Sequence, residues 1–195
     1  MNKLILFACL IGCATQLQAQ FSKGTITFGG SAGYSSLTTK DTNSNVTVTQ
    51  GTTDAVTFVP QVGYFFIDNF AGGAGITLKS SRFNDSNSPA YNSSTTFLFS
   101  PFVRYYFPPK IYGQLSVDFG SVTDKSVNGQ GTTNKTSYSA SGWSLLAGYP
   151  ILLGKVVAIE PQLGYSSLTQ SVNASNYSTD AGLFLRVGIQ VYLSK

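Results

Sequence analysis

From Phe58 to Phe66 apolar and small polar positions alternate: Phe58, Pro60, Val62, Tyr64 and Phe66 fall on one side, and Thr57, Gln61 and Gly63 on the other. A period of two is the mark of a strand with one apolar face. The same alternation predicts eight strands, over Gly24–Ser36, Ala55–Phe66, Phe70–Phe83, Thr95–Phe107, Ile111–Val122, Tyr138–Tyr149, Val156–Ser167 and Ala181–Leu193. Almost no stretch carries a helical period. Tyr64, Tyr106, Tyr149 and Tyr192 recur at spacings of 42, 43 and 43 residues, which suits a repeated hairpin.

Each predicted strand is ten residues or longer. Strands of soluble proteins average about 5–6 residues, whereas membrane-crossing strands need about 9–11. The connections alternate in character as well. Thr38–Asp54, Asn84–Ser94, Thr123–Ser137 and Leu168–Asp180 are long and rich in Ser, Thr, Asn, Asp and Gly, while Ile67-Asp68-Asn69, Pro108-Pro109-Lys110 and Pro150–Lys155 are short. Long loops on one rim and short turns on the other predict an all-β fold, an eight-stranded antiparallel up-and-down transmembrane β-barrel with its turns on the periplasmic side.

Charge placement sharpens the assignment of faces. Lys79, Arg104, Asp118, Glu160 and Arg186 lie well within the predicted strands, each on the polar side of its strand; Arg104 shares its side with Phe102 and Tyr106 as well as Ser100. A charge facing lipid at the midplane costs about 2–4 kcal/mol, so these five are expected to form a luminal cluster. Eight strands enclose an interior that side chains roughly fill. The expectation is therefore a filled lumen with paired charges, because an unpaired buried ion costs several kcal/mol. Arg186 and Glu160 fall as near-diagonal neighbours on the last hairpin. The opposite faces carry Ile26, Phe28 and Tyr34, Phe97, Phe99 and Val103, and Leu183, Leu185, Val187 and Ile189, and can meet lipid. Tyr64, Phe66, Tyr105, Phe107 and Tyr149 cluster beside three successive short turns, which predicts a girdle at headgroup depth.

Composition agrees with a membrane setting. Charged residues make up 10% of the chain, against about 25% in ordinary soluble domains. Met1-Asn2-Lys3 followed by the apolar run Leu4–Ile11 and by Gln18-Ala19-Gln20 reads as a secretory signal peptide. That run is too short to span a bilayer as a helix. Residues 1–19 are expected as signal, with cleavage after Ala19, and residues 20–195 as one barrel domain. Leu10-Ile11-Gly12-Cys13 offers an alternative, acylation of Cys13. Without Lys3 the chain keeps eleven basic and eight acidic residues, a scattered net charge of +3 that gives no support for nucleic-acid binding.

Candidate chemistry is thin. The chain has no histidine, and its two cysteines, Cys9 and Cys13, lie in the signal segment. A nucleophile paired with an imidazole is therefore out of reach, and no metal-ligand spacing or phosphate-binding glycine loop occurs. Neither an enzyme nor a cofactor is expected. The sequons Asn45-Val46-Thr47 and Asn134-Lys135-Thr136 read as polar loop composition.

Three stretches carry a resemblance: Pro60-x-Val62-Gly63-Tyr64-Phe65 with Asp68-Asn69, Pro101-Phe102-Val103-Arg104-Tyr105-Tyr106-Phe107, and Ala158-Ile159-Glu160 leading to Gly164-Tyr165. In their order and spacing the chain resembles the small outer-membrane barrel domains grouped with the OmpA, OmpX and OmpW barrels. The resemblance spans essentially the whole chain after the signal. It implies an eight-stranded barrel in the cell outer membrane of a Gram-negative envelope, surrounded by outer-membrane lipid and inserted by the barrel-assembly machinery. Two features depart from the family: Tyr192-Leu193 is followed by Ser194-Lys195 instead of closing on an aromatic, and Gly148-Tyr149 runs into Pro150. The expected function is structural or surface-interaction, with the long loops meeting a partner of unspecified identity. A small porin-like pore or a hydrophobic-compound conduit is the alternative. A secreted barrel of lipocalin type also has eight strands, but the low charge, long strands and loop asymmetry speak against it.

Overall fold

The computed structural model describes residues 21–43, 46–85, 91–108, 110–127, 132–172 and 176–194. The expected signal segment, with Cys9, Cys13 and Ala19, lies outside the described residues. Eight long strands follow one another: β1 (Ile26–Asn43), β2 (Val46–Ile67), β3 (Phe70–Asp85), β4 (Tyr91–Phe107), β5 (Ile111–Val127), β6 (Thr133–Gly148), then, after the two-residue β7 (Ile151–Leu152), β8 (Val157–Val172) and β9 (Asn176–Leu193). Each pairs antiparallel with its sequence neighbour, β1 pairs with β9, and β6 pairs with β8. The sheet therefore closes into an eight-stranded up-and-down barrel.

Alternation decides which side of the wall each residue meets. On β2 Phe58, Val62, Tyr64 and Phe66 face outward and stay about half exposed, while Ala55, Val59 and Phe65 are buried inside. On β4 the parity is reversed: Phe97, Phe99, Val103, Tyr105 and Phe107 face out, and Leu98, Ser100, Phe102, Arg104 and Tyr106 face in. The same inversion gives β9 its outer row of Leu183, Leu185, Val187 and Ile189 and its inner Gln190 and Tyr192. The outer surface is thus a continuous apolar belt. In water each such side chain would forgo about 1.5–3 kcal/mol of burial, so the belt belongs in lipid.

The short turns carry the residues that their backbone requires. Asn69 takes a positive φ of 62° and closes the Ile67↔Phe70 pair, a geometry that asparagine tolerates well. Lys110 plays the equivalent part after β4 with φ 106°.

Three expectations need correction. The strands run well past the predicted ends: β1 and β2 pair through Asn43↔Val46, inside the stretch expected as the loop Thr38–Asp54. Polar side chains do not stop a ladder made by backbone groups, so the polar stretches extend as strands beyond the belt. The turn expected over Pro150–Lys155 holds β7, whose Ile151 and Leu152 pair with Ile159 and Ala158. Asn134-Lys135-Thr136 lies in β6, while Asn45 is outside the described residues.

Candidate functional site

The lumen divides into a sealed base and an open cup. At the base, near the short turns, Glu160 of β8 is fully buried and accepts hydrogen bonds from the hydroxyls of Tyr192 at 2.5 Å and Tyr112 at 2.7 Å. Arg104 of β4 reaches across the barrel to the same carboxylate at 3.3 Å, and donates to Gln114 at 2.8 Å and to the Tyr106 hydroxyl at 3.1 Å. Its guanidinium also lies 4.1 Å from the centre of the Tyr112 ring. Gln162 donates to Tyr112 at 3.0 Å, and the hydroxyls of Tyr106 and Tyr192 meet at 2.9 Å. One ion pair is thus held by three tyrosines and two glutamines drawn from β4, β5, β8 and β9.

Below this network the segment before β1 folds under the barrel. Phe21 stacks on Tyr106 with ring centres 4.3 Å apart and meets Tyr192 edge-on at 5.4 Å. Two backbone contacts fix it to the first turn: the Asn69 amide donates to the Phe21 carbonyl at 2.7 Å, and the Lys23 amide to Asp68 at 2.7 Å. Phe65, Ala71, Leu146 and Ala158 complete the apolar part of the base. Gly148 is needed here because the Tyr112 ring occupies the space that a Cβ would take.

Above the base the lumen opens into a cavity of about 850 Å³ that extends toward the long connections. Its walls mix hydroxyl and amide side chains, such as Ser31, Thr57, Ser100 and Gln162, with apolar ones such as Leu98 and Val122, and Lys79, Asp118 and Arg186 stand among them. Gln61 donates to Gln190 at 3.3 Å at the floor of this cup. At the loop-side edge of the belt, the Tyr34 hydroxyl reaches outward and donates to Asp54 at 2.9 Å. Hydrogen bonds from Ser36 and Tyr34 hold the Asp54 carboxyl below its ordinary range.

All five sequence-predicted charges face the lumen, but they do not assemble into one paired cluster. Arg104 and Glu160 form the ion pair of the base. Arg186 stands opposite Gln162 on β8, two positions from Glu160, yet its guanidinium lies over Phe184 at 4.0 Å, away from the carboxylate. Lys79 and Asp118 line the cup. The lumen is packed at its base and only lined above it, which corrects the expectation of a filled barrel: inner positions above the base carry many small Ser, Thr and Gly side chains, beside a wall cluster of Leu98, Val122, Ala140 and Leu168. Tyr64, Phe66, Tyr105, Phe107 and Tyr149 all lie on the outer surface, with Tyr64 against Phe66 at 5.3 Å and Tyr105 against Phe107 at 4.7 Å. Sequence reasoning missed Phe21, Phe65, Tyr112 and the inward setting of Tyr192. A signal was present, since Tyr106, Tyr112 and Tyr192 share parity with Arg104, Gln114 and Gln190, so aromatics on the polar face mark the plug.

An apolar exterior, a polar interior and a closed antiparallel ring define the transmembrane β-barrel class. Solved structures similar in architecture include Neisserial surface protein A, at 13% identity over 87% of this chain and 97% of that one, with a TM-score of 0.44. The translocator domain of the autotransporter NalP from Neisseria meningitidis is similar at 13% identity over 97% of this chain and 71% of that one, TM-score 0.47. The outer membrane protein OprG from Pseudomonas aeruginosa is similar at 10% identity over 91% and 99%, TM-score 0.48. At these identities the likeness is one of architecture. No family model and no curated protein matches the chain.

Proposed function

We propose that the chain is an integral outer-membrane β-barrel of structural or surface-interaction type, without catalysis, whose polar strand extensions and loops are the contact surface. The observation that carries this reading is the sealed base: the Arg104–Glu160 pair, its tyrosines and Phe21 stand across the lumen where a pore would need an exit. The apolar belt supplies the surface for membrane lipid, and the Tyr and Phe pairs beside the short turns suit its headgroup edge. Insertion by the barrel-assembly machinery follows from this reading.

Membrane fractionation and planar-bilayer recording test it together. The protein is expected in the urea-resistant membrane fraction, to migrate differently on gels before and after boiling, and to give no conductance steps above bilayer background. Recovery in the soluble periplasm, or a stable channel from the unaltered protein, overturns the proposal. A second reading, a conduit for hydrophobic compounds, is favoured by one observation: β1 and β9 stop pairing while still inside the apolar belt.

A further inference from the structure

The wall of the cup is open on one side. β1 and β9 pair from Ile26↔Leu193 to Ala32↔Val187 and no further among the described residues, although β1 stays on β2 to Asn43 and β9 stays on β8 back to Asn176. The apolar outer row continues past that point, through Tyr34 on β1 and Leu185 and Leu183 on β9. Leu183 lies level with Tyr165 of β8, so the belt extends alongside the gap. The strands still touch at Gly33, and beyond it two to four residues at about 3.4 Å each leave a seam roughly 7–14 Å tall without ladder pairs on the loop side of the belt.

Three observations join this seam to the cavity. On β2 to β6 only alternate residues line the cavity, whereas consecutive residues do so on β1 from Gly33 to Ser35, on β8 from Ser166 to Leu168 and, over the longest run, on β9 from Asp180 to Arg186. Leu183, Leu185 and Tyr34 are 78%, 74% and 69% exposed, and no other large apolar residue of the described barrel exceeds 60%. A Cβ added at Gly182 would meet nothing. Unpaired strand edges at membrane depth are tolerated where they border a water-filled cavity, and this cup supplies one.

The cations sit at the lower end of the seam, and the acids toward its rim, Asp54 on the Tyr34 hydroxyl and Asp180 on β9. Arg186 is the first residue above the last β1–β9 pair; its stem crosses Gly33, and its buried Nε has no hydrogen-bond partner. Lys79 lies on the same ladder row through Thr57 to Gly33. Asp118 is within electrostatic reach of Arg186 but forms no ion pair with it, and Asp124 and Asp180 line the cavity toward the loop rim. An anion descending from the rim meets those two carboxylates first. One entering from the membrane below Asp54 meets Arg186 first.

We propose that the seam binds a long-chain carboxylic acid from the outer leaflet. Its chain runs down the outer row past Leu185, Val187 and Ile189, and its carboxylate turns through the gap onto Arg186, with Lys79 adding charge. This rests on the membrane-barrel reading. The test is titration of a fluorescent long-chain fatty acid, and of the matching alcohol, into the barrel in phospholipid nanodiscs. The acid is expected to bind in preference to the alcohol. Arg186→Gln should weaken the acid by about tenfold, as for loss of one charge-assisted hydrogen-bonded pair, and leave the alcohol unchanged. Extending the ladder would set Ser36 opposite Leu183 and Ser35 opposite Phe184. Ser36→Cys with Leu183→Cys, and Ser35→Cys with Phe184→Cys as a second staple, should lose acid binding when oxidised and regain it when reduced. Equal binding of acid and alcohol, indifference to Arg186→Gln, undiminished binding by the stapled barrels, or no binding at all overturns the proposal. Gel migration of each preparation before and after boiling separates these outcomes from failure of the barrel reading, which would abolish the mobility shift as well.

Discussion

Replacing Glu160 by Gln takes one charge from the plug and keeps its size. The carboxylate accepts from Tyr112, Tyr192 and Gln162 and is paired with Arg104, and both partners of the pair are buried. The amide oxygen of a glutamine retains room for one or two of those donors, but the guanidinium loses its counter-charge. Breaking a buried pair costs about 3–5 kcal/mol. Arg104 keeps its bond to Gln114 and its contact with the Tyr112 ring, which offsets roughly 1 kcal/mol. The expected loss is therefore about 3 kcal/mol, a large part of the ~5–15 kcal/mol that holds a typical protein folded. Urea unfolding in lipid vesicles reads it through Trp143, the one tryptophan of the chain, which faces outward from β6. Adding Arg104→Met removes the stranded charge and should return most of the loss, because a buried pair replaced whole by apolar groups is close to neutral. A loss under about 1 kcal/mol for the single variant, or a double variant as weak as the two singles summed, refutes the pair as the centre of the plug.

Phe21→Ala removes the cork while leaving every strand intact; the loss of its buried ring should cost about 3–5 kcal/mol in the same unfolding assay and admit water to the base, seen as faster amide exchange at Asn69. Leu163→Arg places a charge on the outer belt of β8 and should cost about 2–4 kcal/mol, while Thr123→Arg, beyond the belt on β5 between Thr95 and Ser137, should cost no more than about 1 kcal/mol. Asp54 has a folded-state pKa below its ordinary 3.8, so the stabilisation from its hydrogen bonds is present above that value and is lost as pH falls through the folded pKa. Carboxyl NMR should show it titrating low, and Tyr34→Phe should move it upward.

Much of the barrel was legible because a two-residue period leaves each residue one of two sides. Once Lys79, Asp118, Glu160 and Arg186 set the inner parity, Phe58, Tyr64, Tyr105 and Leu185 had to face out. Even the mixed company of Arg104, Phe102 and Tyr106 resolves this way, since all three point inward. What alternation lacks is reach around the ring. Tyr112 and Glu160 are 48 residues apart on β5 and β8, and Arg104 and Glu160 are 56 apart on β4 and β8. Their meeting depends on the shear of the closed barrel, which no single strand records. The strand ends were misplaced for a different reason: Ser, Thr and Asn at the loop side signal solvent, and the backbone ladder continues through solvent. The seam escaped for the same reason as the plug, because β1 and β9 each read as sound strands alone.

The closure of the ring also has a kinetic side. Seven residue pairs join β1 to β9, from Ile26↔Leu193 to Ala32↔Val187, whereas eighteen join β1 to β2 and sixteen join β8 to β9. This shortest of the β1 ladders also spans nearly the whole chain in sequence, and contacts so distant repay their loop-closure entropy late in folding. The barrel should therefore zip hairpin by hairpin and lock at this line last. Under pulling force or denaturant, the same line is where it should first come apart.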